Sequence, residues 1–282
     1  MKRSRKIFVQ FGICFFVISI FGLLINNLTI NLNRTGLGFN FSWLFKPASF
    51  ALAEHPLPYS SSDHYAWALF IGWLNSLKVI VSSSIIATIL GTLIGFARTS
   101  KNGLLGLISA GYITIIRQTP LLLQLMFWYF IGFLGLKDNT FIHIKNILKI
   151  SNQGVELSGL TLSSEFSALL LGLSIFTSAY IAEVIRGGIM SVPKGQWEAF
   201  RSLGLSKSKG LLRIIMPQAL PAILPGLTSQ YLNLAKNSTL AIAVGYSDIY
   251  AINDTIINQT GRAIECFIIL LASFLLLNLL IS

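Results

Sequence analysis

Long stretches without a charged residue constrain this 282-residue chain more than any other feature. Six of them stand out, at 7–33, 79–97, 118–136, 166–182, 214–235 and 266–282. Each has about the 17–25 residues that a helix needs to cross a hydrocarbon core near 30 Å thick. A large soluble helical core would instead show polar faces at helical spacing, which these runs lack. The sequence therefore predicts an all-α integral membrane protein with about six transmembrane helices.

The first run has a competing interpretation as a cleaved signal peptide, because four basic residues precede it. Its apolar stretch is longer than the usual signal core of about 7–15 residues, and no small-x-small cleavage site follows closely. We therefore expect a retained span. The chain then divides into residues 1–64, an N-terminal helix with an outer segment, and residues 65–282, the main transmembrane domain.

The net charge of +11 is distributed unevenly between the predicted loops. Thirteen of the 21 lysines and arginines lie in the alternate segments 1–6, 98–117 and 183–217. The intervening segments hold six basic and eight acidic residues; they are 31–64, 137–165 and 248–265. This positive-inside pattern predicts a multi-pass protein with a cytoplasmic N-terminus. Basic and aromatic residues are not interleaved as in nucleic-acid sites, so no nucleic-acid partner is expected.

The segment 197–217 is basic and polar although it lies between two apolar runs. It reads as two short helices, with Gly204 at a left-handed helix cap and Pro217 ending the second helix. Three apolar residues at helical spacing are expected to anchor a partner: Trp197, Phe200 and Leu203. A basic amphipathic helix lying on anionic lipid is the alternative interpretation.

Catalytic and metal-binding patterns are missing from the sequence. The three histidines are scattered through predicted outer loops, without metal-ligand spacing or a nucleophile–base pair. No phosphate-binding glycine-rich loop of the strand–GxxxxGK[ST]–helix kind is present. We therefore expect no catalytic residue, bound metal or cofactor. If the chain transports a solute, the energy must come from a gradient or from a separate ATPase.

The polar segment resembles the "EAA" loop of binding-protein-dependent ABC importer permeases, written EAA–3x–G–9x–I–x–LP. The matching residues are Glu198, Ala199, Gly204, Ile214 and Pro217. Phe200 replaces the second alanine of the motif, and Met216 replaces its leucine. The resemblance implies that residues 193–217 form a cytoplasmic coupling loop that docks on an ATPase.

Further stretches are similar to polar amino-acid permeases. Residues 117–125 (RQTPLLLQL) resemble the R-x-x-P-L-L-x-Q-L signature, and residues 236–241 (KNSTLA) resemble K-x-[ST]-[ST]-L-A. The long first outer loop, 31–64, is similar to that of general L-amino-acid transporter permeases. Together these similarities cover nearly the whole chain.

The resemblance implies a type I ABC importer transmembrane domain with an additional N-terminal span, in a bacterial inner membrane. Its expected partners are ABC ATPase subunits that hydrolyse ATP, a second and related permease subunit, a periplasmic amino-acid-binding protein and membrane lipid. The expected cargo is a broad range of amino acids. Members of this family continue into a short cytoplasmic tail, so the sequence is expected to end inside its last span.

Several polar residues are candidates for the substrate pathway: Lys236, Asn237, Ser238, Thr239 and Gln124. Ionisable residues within a membrane are costly and tend to mark pathways, and a lysine suits the carboxylate of an amino acid. Alternatively, Lys236 extends to the interface and Gln124 joins helices through hydrogen bonds. Gly91 and Gly95, one helical turn apart, are expected to allow close helix packing.

A gradient-driven secondary transporter of a small polar solute is the competing function. Such proteins typically have inverted repeats and buried carboxylates that relay ions. No repeat is evident, and Glu183 is the only acidic residue close to the interior of a predicted span. The sequence therefore favours the ATP-driven importer.

Overall fold

The computed structural model describes residues 2–34, 36, 38–100, 102–136, 142–144, 148–157 and 159–281. The helices in this part of the chain are α1 (Lys2–Arg34), α2 (Tyr65–Arg98), α3 (Gly103–Gln118), α4 (Leu121–Met126), α5 (Ser164–Ser191), α6 (Lys194–Ser202), α7 (Lys207–Gly210), α8 (Met216–Asn237), α9 (Ile249–Thr260) and α10 (Ala263–Ile281). Its strands are β1 (Ile142–Ile144), β2 (Leu148–Ser151), β3 (Gly154–Leu157) and β4 (Leu160–Ser163). Two stretches are π-helical (Phe127–Phe133, Leu211–Ile215), and two are 3-10 helical (Ser42–Phe45, Ser238–Val244).

Five helical stretches among the described residues are long and apolar enough to cross a membrane. They are Val9–Leu32, Tyr65–Arg98, Ser164–Ser191, Lys207–Val244 and Ala263–Ile281, and they overlap five of the six predicted spans. The second is longer than predicted, because Lys78 does not interrupt the helix. Lysine is a good helix former, and Lys78 Nζ lies 3.3 Å from Glu54 Oε2.

Two glycines bring α2 into close contact with α5. A Cβ atom added at Gly91 would lie 2.6 Å from Ile181 Cγ2, and one added at Gly95 would lie 2.8 Å from Ile185 Cβ. The predicted close packing at these glycines is confirmed. Because the contacts advance together along both helices, α2 and α5 run parallel.

Parallel packing of α2 and α5 requires the chain between them to cross the bundle once in the opposite direction. That crossing is made by α3 and by α4 with its π-helical extension, which are separated at Thr119 and Pro120. Its contacts with α5 move back toward the start of α5: Tyr112 bonds to Ser178 (2.7 Å), Leu125 packs on Gly172, and Tyr129 bonds to Glu165 (3.2 Å). The predicted span 118–136 thus forms only the second half of a broken crossing.

The remaining crossings alternate in direction around α5. α8 runs antiparallel to α5, since Gly188 faces Ile223 and Val184 faces Gly226. α9 packs on the first part of α2 at Gly72, and α10 returns from there along α8. We call the end of the bundle where α2, α5 and α10 begin the sheet end, and the opposite end the α6 end.

The sheet end carries a small antiparallel meander in the order β1-β2-β3-β4. Gly154, at φ +121, begins β3 where a Cβ atom would lie 2.0 Å from Leu162 O. No pattern in the sequence predicted this sheet, because strands of three or four residues are too short to display a clear alternation.

The segment between α1 and α2 packs against the bundle. The Trp43 ring is 3% exposed, and its centroid lies 5.6 Å from that of Tyr65. The Glu54 carboxylate contacts both Lys78 on α2 and Ser163 before α5. The division of the chain after residue 64 remains a prediction, although apolar and ionic contacts extend across it.

Candidate coupling segment and polar cavity

A helix and a glycine turn connect α5 to α8 at the α6 end. Pro193 precedes α6, where a residue without an N–H is well tolerated. Gly204 has φ +67, a conformation that costs glycine little. Hydrogen bonds from Gly204 N to Arg201 O (3.0 Å) and from Leu205 N to Phe200 O (3.2 Å) close the helix. The predicted left-handed glycine cap is confirmed.

The predicted end of the second helix at Pro217 is wrong. α7, the π-helical stretch and α8 form one continuous helical run, and Pro217 is the second residue of α8. The π-helical stretch bonds Met216 N to Leu211 O, so the hydrogen bonding shifts just before the residue that has no N–H. The coupling segment is therefore joined to α8 without a break.

The surface of this segment is basic, with an apolar centre. Leu203 is 72% exposed and Leu205 is 38% exposed, and Glu198 and Ala199 are also exposed. Exposed basic residues lie before, between and after them along the segment: Lys194, Arg201, Lys207, Lys209 and Arg213. An apolar centre with a basic rim suits a protein partner that has an apolar pocket and acidic edges.

Phe200 does not contribute to this exposed surface. Its side chain is 2% exposed and lies in a buried apolar cluster with Ile215. Trp197 is partly buried beside it, with ring centroids 5.9 Å apart, and Ile214 packs on the same cluster. Of the three predicted anchors, Leu203 is therefore the most exposed, Trp197 is partly exposed, and Phe200 is buried. Phe200 faces inward because the chain returns over it at α7.

The second predicted site lies at the end of α8 and the start of the 3-10 stretch that follows it. Lys236 is exposed, and no hydrogen bond or ion pair engages its ammonium group among the described residues. Ser238 Oγ donates to Ala235 O and Thr239 Oγ1 donates to Lys236 O, both at 2.8 Å. These two hydroxyls bond to the backbone of their own helix, whereas the Lys236 ammonium is available to a ligand.

A cavity of about 300 Å³ lies between α5 and α8 beside Lys236. It is lined by Phe176, Thr177, Tyr180, Gln230, Asn233, Leu234, Lys236 and Asn237. The structure thus brings two predicted pathway residues into the cavity lining, Lys236 and Asn237, but not Ser238, Thr239 or Gln124. The Arg117 guanidinium lies over the ring of Tyr180, with its Cζ atom 4.9 Å from the ring centroid.

Sequence reasoning missed the amides of Gln230 and Asn233. With Asn237 they recur at intervals of three and four residues, which places them on one face of α8. Polar residues at helical spacing within an apolar run were the available signal. Their partner face on α5 carries Thr177 and Tyr180, which become recognisable only once the two helices are packed.

Gln124 has a structural position at the break between α3 and α4. Its Nε2 donates to Ile116 O (2.9 Å) and to Thr119 O (3.1 Å). In an uninterrupted helix Ile116 O would accept from the residue at 120, but Pro120 has no N–H. The Gln124 amide therefore replaces the missing donor.

Replacing Gln124 by leucine is expected to destabilise the chain by about 1–3 kcal/mol, because two carbonyls lose their donor in an apolar setting. Thermal unfolding in detergent measures this loss. Gln218→Leu is the matched control, since Gln218 makes a similar bond to Ile214 O (2.8 Å) from an exposed position. Equal losses in the two variants would contradict the assigned role.

No group of three or more His, Cys, Asp and Glu side chains that could hold a metal occurs among the described residues. His55 Nδ1 lies 3.0 Å from Leu57 O at the sheet end, and the side chain of His143 lies outside the described set. Burial raises the pKa of Asp248 to about 7, and this carboxylate caps α9 by accepting from Ala251 N (2.8 Å). The position of Asp248 is therefore that of a helix N-cap.

The fold and these sites define a class of protein. Membrane-length helices carry an exposed basic helix and turn at one end and enclose a polar cavity between two crossings. This is the construction of a membrane transport subunit that receives mechanical work from another protein.

The chain belongs to the family of binding-protein-dependent transport system inner membrane components, and the sequence pattern of that family matches residues 87–282. It is therefore a multi-pass permease of the ABC importer class. Membership implies two kinds of partner, an ABC ATPase and a substrate-binding protein.

Curated relatives cover nearly the whole chain. The putative amino-acid ABC transporter permease protein YhdX of Escherichia coli is 33% identical, across 94% of this chain and 88% of that protein. The general L-amino acid transport system permease protein AapQ of Rhizobium johnstonii is 31% identical, across 99% of this chain and 90% of that protein.

Solved structures match the fold. An amino acid ABC transporter crystallised with histidines matches with a TM-score of 0.60 and 29% identity, across 77% of this chain and 91% of that chain. The inward-facing MetNI methionine ABC transporter matches with a TM-score of 0.58 and 18% identity, across 76% and 91%. This second likeness concerns the fold alone.

Proposed function

We propose that this permease imports amino acids, over a broad range of general or polar L-amino acids, with energy from a separate ATPase. The cavity beside Lys236 carries the proposal. It combines an unengaged ammonium group with side-chain amides between two membrane-crossing helices. The printed names of the relatives, an amino-acid permease and a general L-amino acid permease, support the same cargo.

The chemistry of the cavity suits the common part of amino acids. The Lys236 ammonium pairs with the α-carboxylate, since charge-assisted hydrogen bonds are the strongest that a side chain offers. Asn233, Asn237 and Gln230 present amides that donate and accept, which suits an ammonium group or a polar side chain. Recognition of the shared backbone groups accounts for a broad substrate range.

The coupling segment transmits the movement of the ATPase to the cavity. The proposed contact with the ATPase uses Glu198, Ala199 and Leu203, whereas Trp197, Phe200, Gly204, Ile214 and Pro217 shape the segment and join it to α8. The helical run Lys207–Val244 connects this contact to the Lys236 cavity. At about 1.5 Å per residue, α7 to the end of α8 extends roughly 45 Å. Movement of α6 by ATP-driven closure of the partner thus displaces one wall of the cavity.

The proposed orientation puts the α6 end and the N-terminus in the cytoplasm of a bacterium. The exposed basic residues of the coupling segment support this orientation; they are Lys194, Arg201, Lys207, Lys209 and Arg213. ATP is bound and hydrolysed by the ATPase, and the permease itself binds no cofactor. A second, related permease subunit completes the pathway, and a periplasmic amino-acid-binding protein delivers cargo at the sheet end.

Uptake by the complex reconstituted in vesicles tests the proposal. Radiolabelled amino acids should enter only when ATP, the ATPase and the binding protein are all supplied. A panel of acidic, basic, amide and aliphatic amino acids defines the range. Uptake that follows an imposed proton or sodium gradient without ATP would identify a secondary transporter instead.

Lys236→Gln is expected to raise the half-saturating amino-acid concentration of the reconstituted complex about ten-fold or more, because the carboxylate loses a charge-assisted bond. Lys149→Gln is the control, since Lys149 pairs with Glu156 on the meander (3.1 Å). Unchanged transport kinetics in Lys236→Gln would remove this residue from the pathway.

A further inference from the structure

Phe200 departs from the family motif in a way that the structure explains. It stands where the motif has its second alanine, and its ring is turned toward Gly210 on α7. A Cβ atom at position 210 would lie 2.3 Å from Phe200 Cδ2 and 2.6 Å from Phe200 Cγ. Only a residue without a side chain fits against this ring.

Backbone geometry does not require glycine at position 210. Gly210 has φ −61 and ψ −44, a helical conformation that every residue other than proline adopts readily. Glycine within a helix costs about 1 kcal/mol relative to alanine. The missing side chain at this position is therefore explained by the Phe200 ring and not by the chain path.

The ring joins α6 to the core where α5 ends and α8 begins. Its buried cluster includes Ile185, Ile189, Val192, Ile215 and Ala219. The exposed Leu203 follows Phe200 by three residues on the same helical turn. The orientation of the exposed coupling surface relative to α8 therefore depends on how Phe200 sits on Gly210.

We propose that Phe200 is a positioning residue for energy coupling and that Gly210 is its complementary seat. The seated ring holds α6 rigidly against the start of α8, so that a displacement of α6 moves α8 and is not absorbed by rotation of α6 alone. This inference rests on the proposed coupling of α6 to an ATPase. It adds that the phenylalanine and the glycine act as a matched pair.

Four proteins test the pair in the reconstituted complex: the wild type, Phe200→Ala, Gly210→Ala and the double variant. The readout is the number of ATP molecules hydrolysed per molecule imported, using the amino acid best transported in the panel above. Each single variant should raise this ratio about five-fold, whereas the double variant should return to within about two-fold of the wild type, as expected for contacting residues. Gly187→Ala, where an added Cβ meets nothing within 4 Å, should leave the ratio unchanged.

Two results would overturn the inference. In one, the single variants lower thermal stability but keep the wild-type ratio, which marks a purely structural contact. In the other, the double variant shows the combined defects of both single variants. Phe200→Leu, which keeps apolar bulk, should raise the ratio by less than Phe200→Ala and serves if the alanine variant does not fold. A wild-type complex without substrate-stimulated ATP hydrolysis would refute the proposed function itself.

Discussion

Leu203→Arg is expected to abolish ATP-driven uptake while leaving the permease folded in the membrane. The side chain is 72% exposed, so an arginine there breaks no internal packing. It would place a long charged group at the apolar centre of the coupling surface, where it must be buried against the ATPase. Truncation of a central interface anchor typically costs 2 kcal/mol or more, and an unpaired charge at such a position costs more.

Co-purification of the ATPase with the tagged permease measures this effect directly. Leu203→Arg should reduce the retained ATPase by about thirty-fold or more, which corresponds to roughly 2 kcal/mol. Leu203→Met, which keeps the apolar character and the size, should retain both the ATPase and uptake. Wild-type retention of the ATPase by Leu203→Arg would place the coupling contact elsewhere on the chain.

Most membrane crossings and the helix cap at Gly204 were predictable because their signals are local. The length of an uncharged run is enough to predict a membrane span, and the cap at Gly204 depends only on the residues of one helix end. Five crossings were predicted directly in this way. The sixth was only half recognised, because α3 precedes a break at Pro120 whose missing hydrogen bond is supplied by Gln124, eight residues after the carbonyl it satisfies.

Which side chains tertiary packing buries or brings together was largely not predictable. Helical spacing put Phe200 and Leu203 on one apolar face, but only the return of the chain at Gly210 buries the first and leaves the second exposed. The amides of Gln230 and Asn233 recur at helical spacing, but only the packing of α8 on α5 places Tyr180 opposite them. Positions of this kind are decided by a partner element that is distant in sequence.

The second large effect is expected at the contact between α2 and α5. In Gly91→Ala the added methyl would lie 2.6 Å from Ile181 Cγ2, 2.7 Å from Ile181 Cβ and 2.9 Å from Ser178 O. A rotation of the Ile181 side chain moves neither its Cβ atom nor the Ser178 carbonyl. The two helices must therefore separate along their length. Overpacking of this kind costs about 1–3 kcal/mol, and valine at the same position should cost more.

The thermal midpoint of the detergent-solubilised chain and its yield in the membrane measure this loss, with Gly91→Val below Gly91→Ala and both below the wild type. Gly111→Ala is the matched control, because an added Cβ there meets nothing within 4 Å on another helix. Alanine has a higher helix propensity than glycine, by up to about 1 kcal/mol of folding free energy. Gly111→Ala should therefore leave the thermal midpoint unchanged or raise it slightly. If alanine lowers the thermal midpoint at position 91 but not at position 111, the loss at Gly91 comes from packing and not from helix propensity. A Gly91→Val chain as stable as the wild type would mean that α2 and α5 do not pack through this glycine.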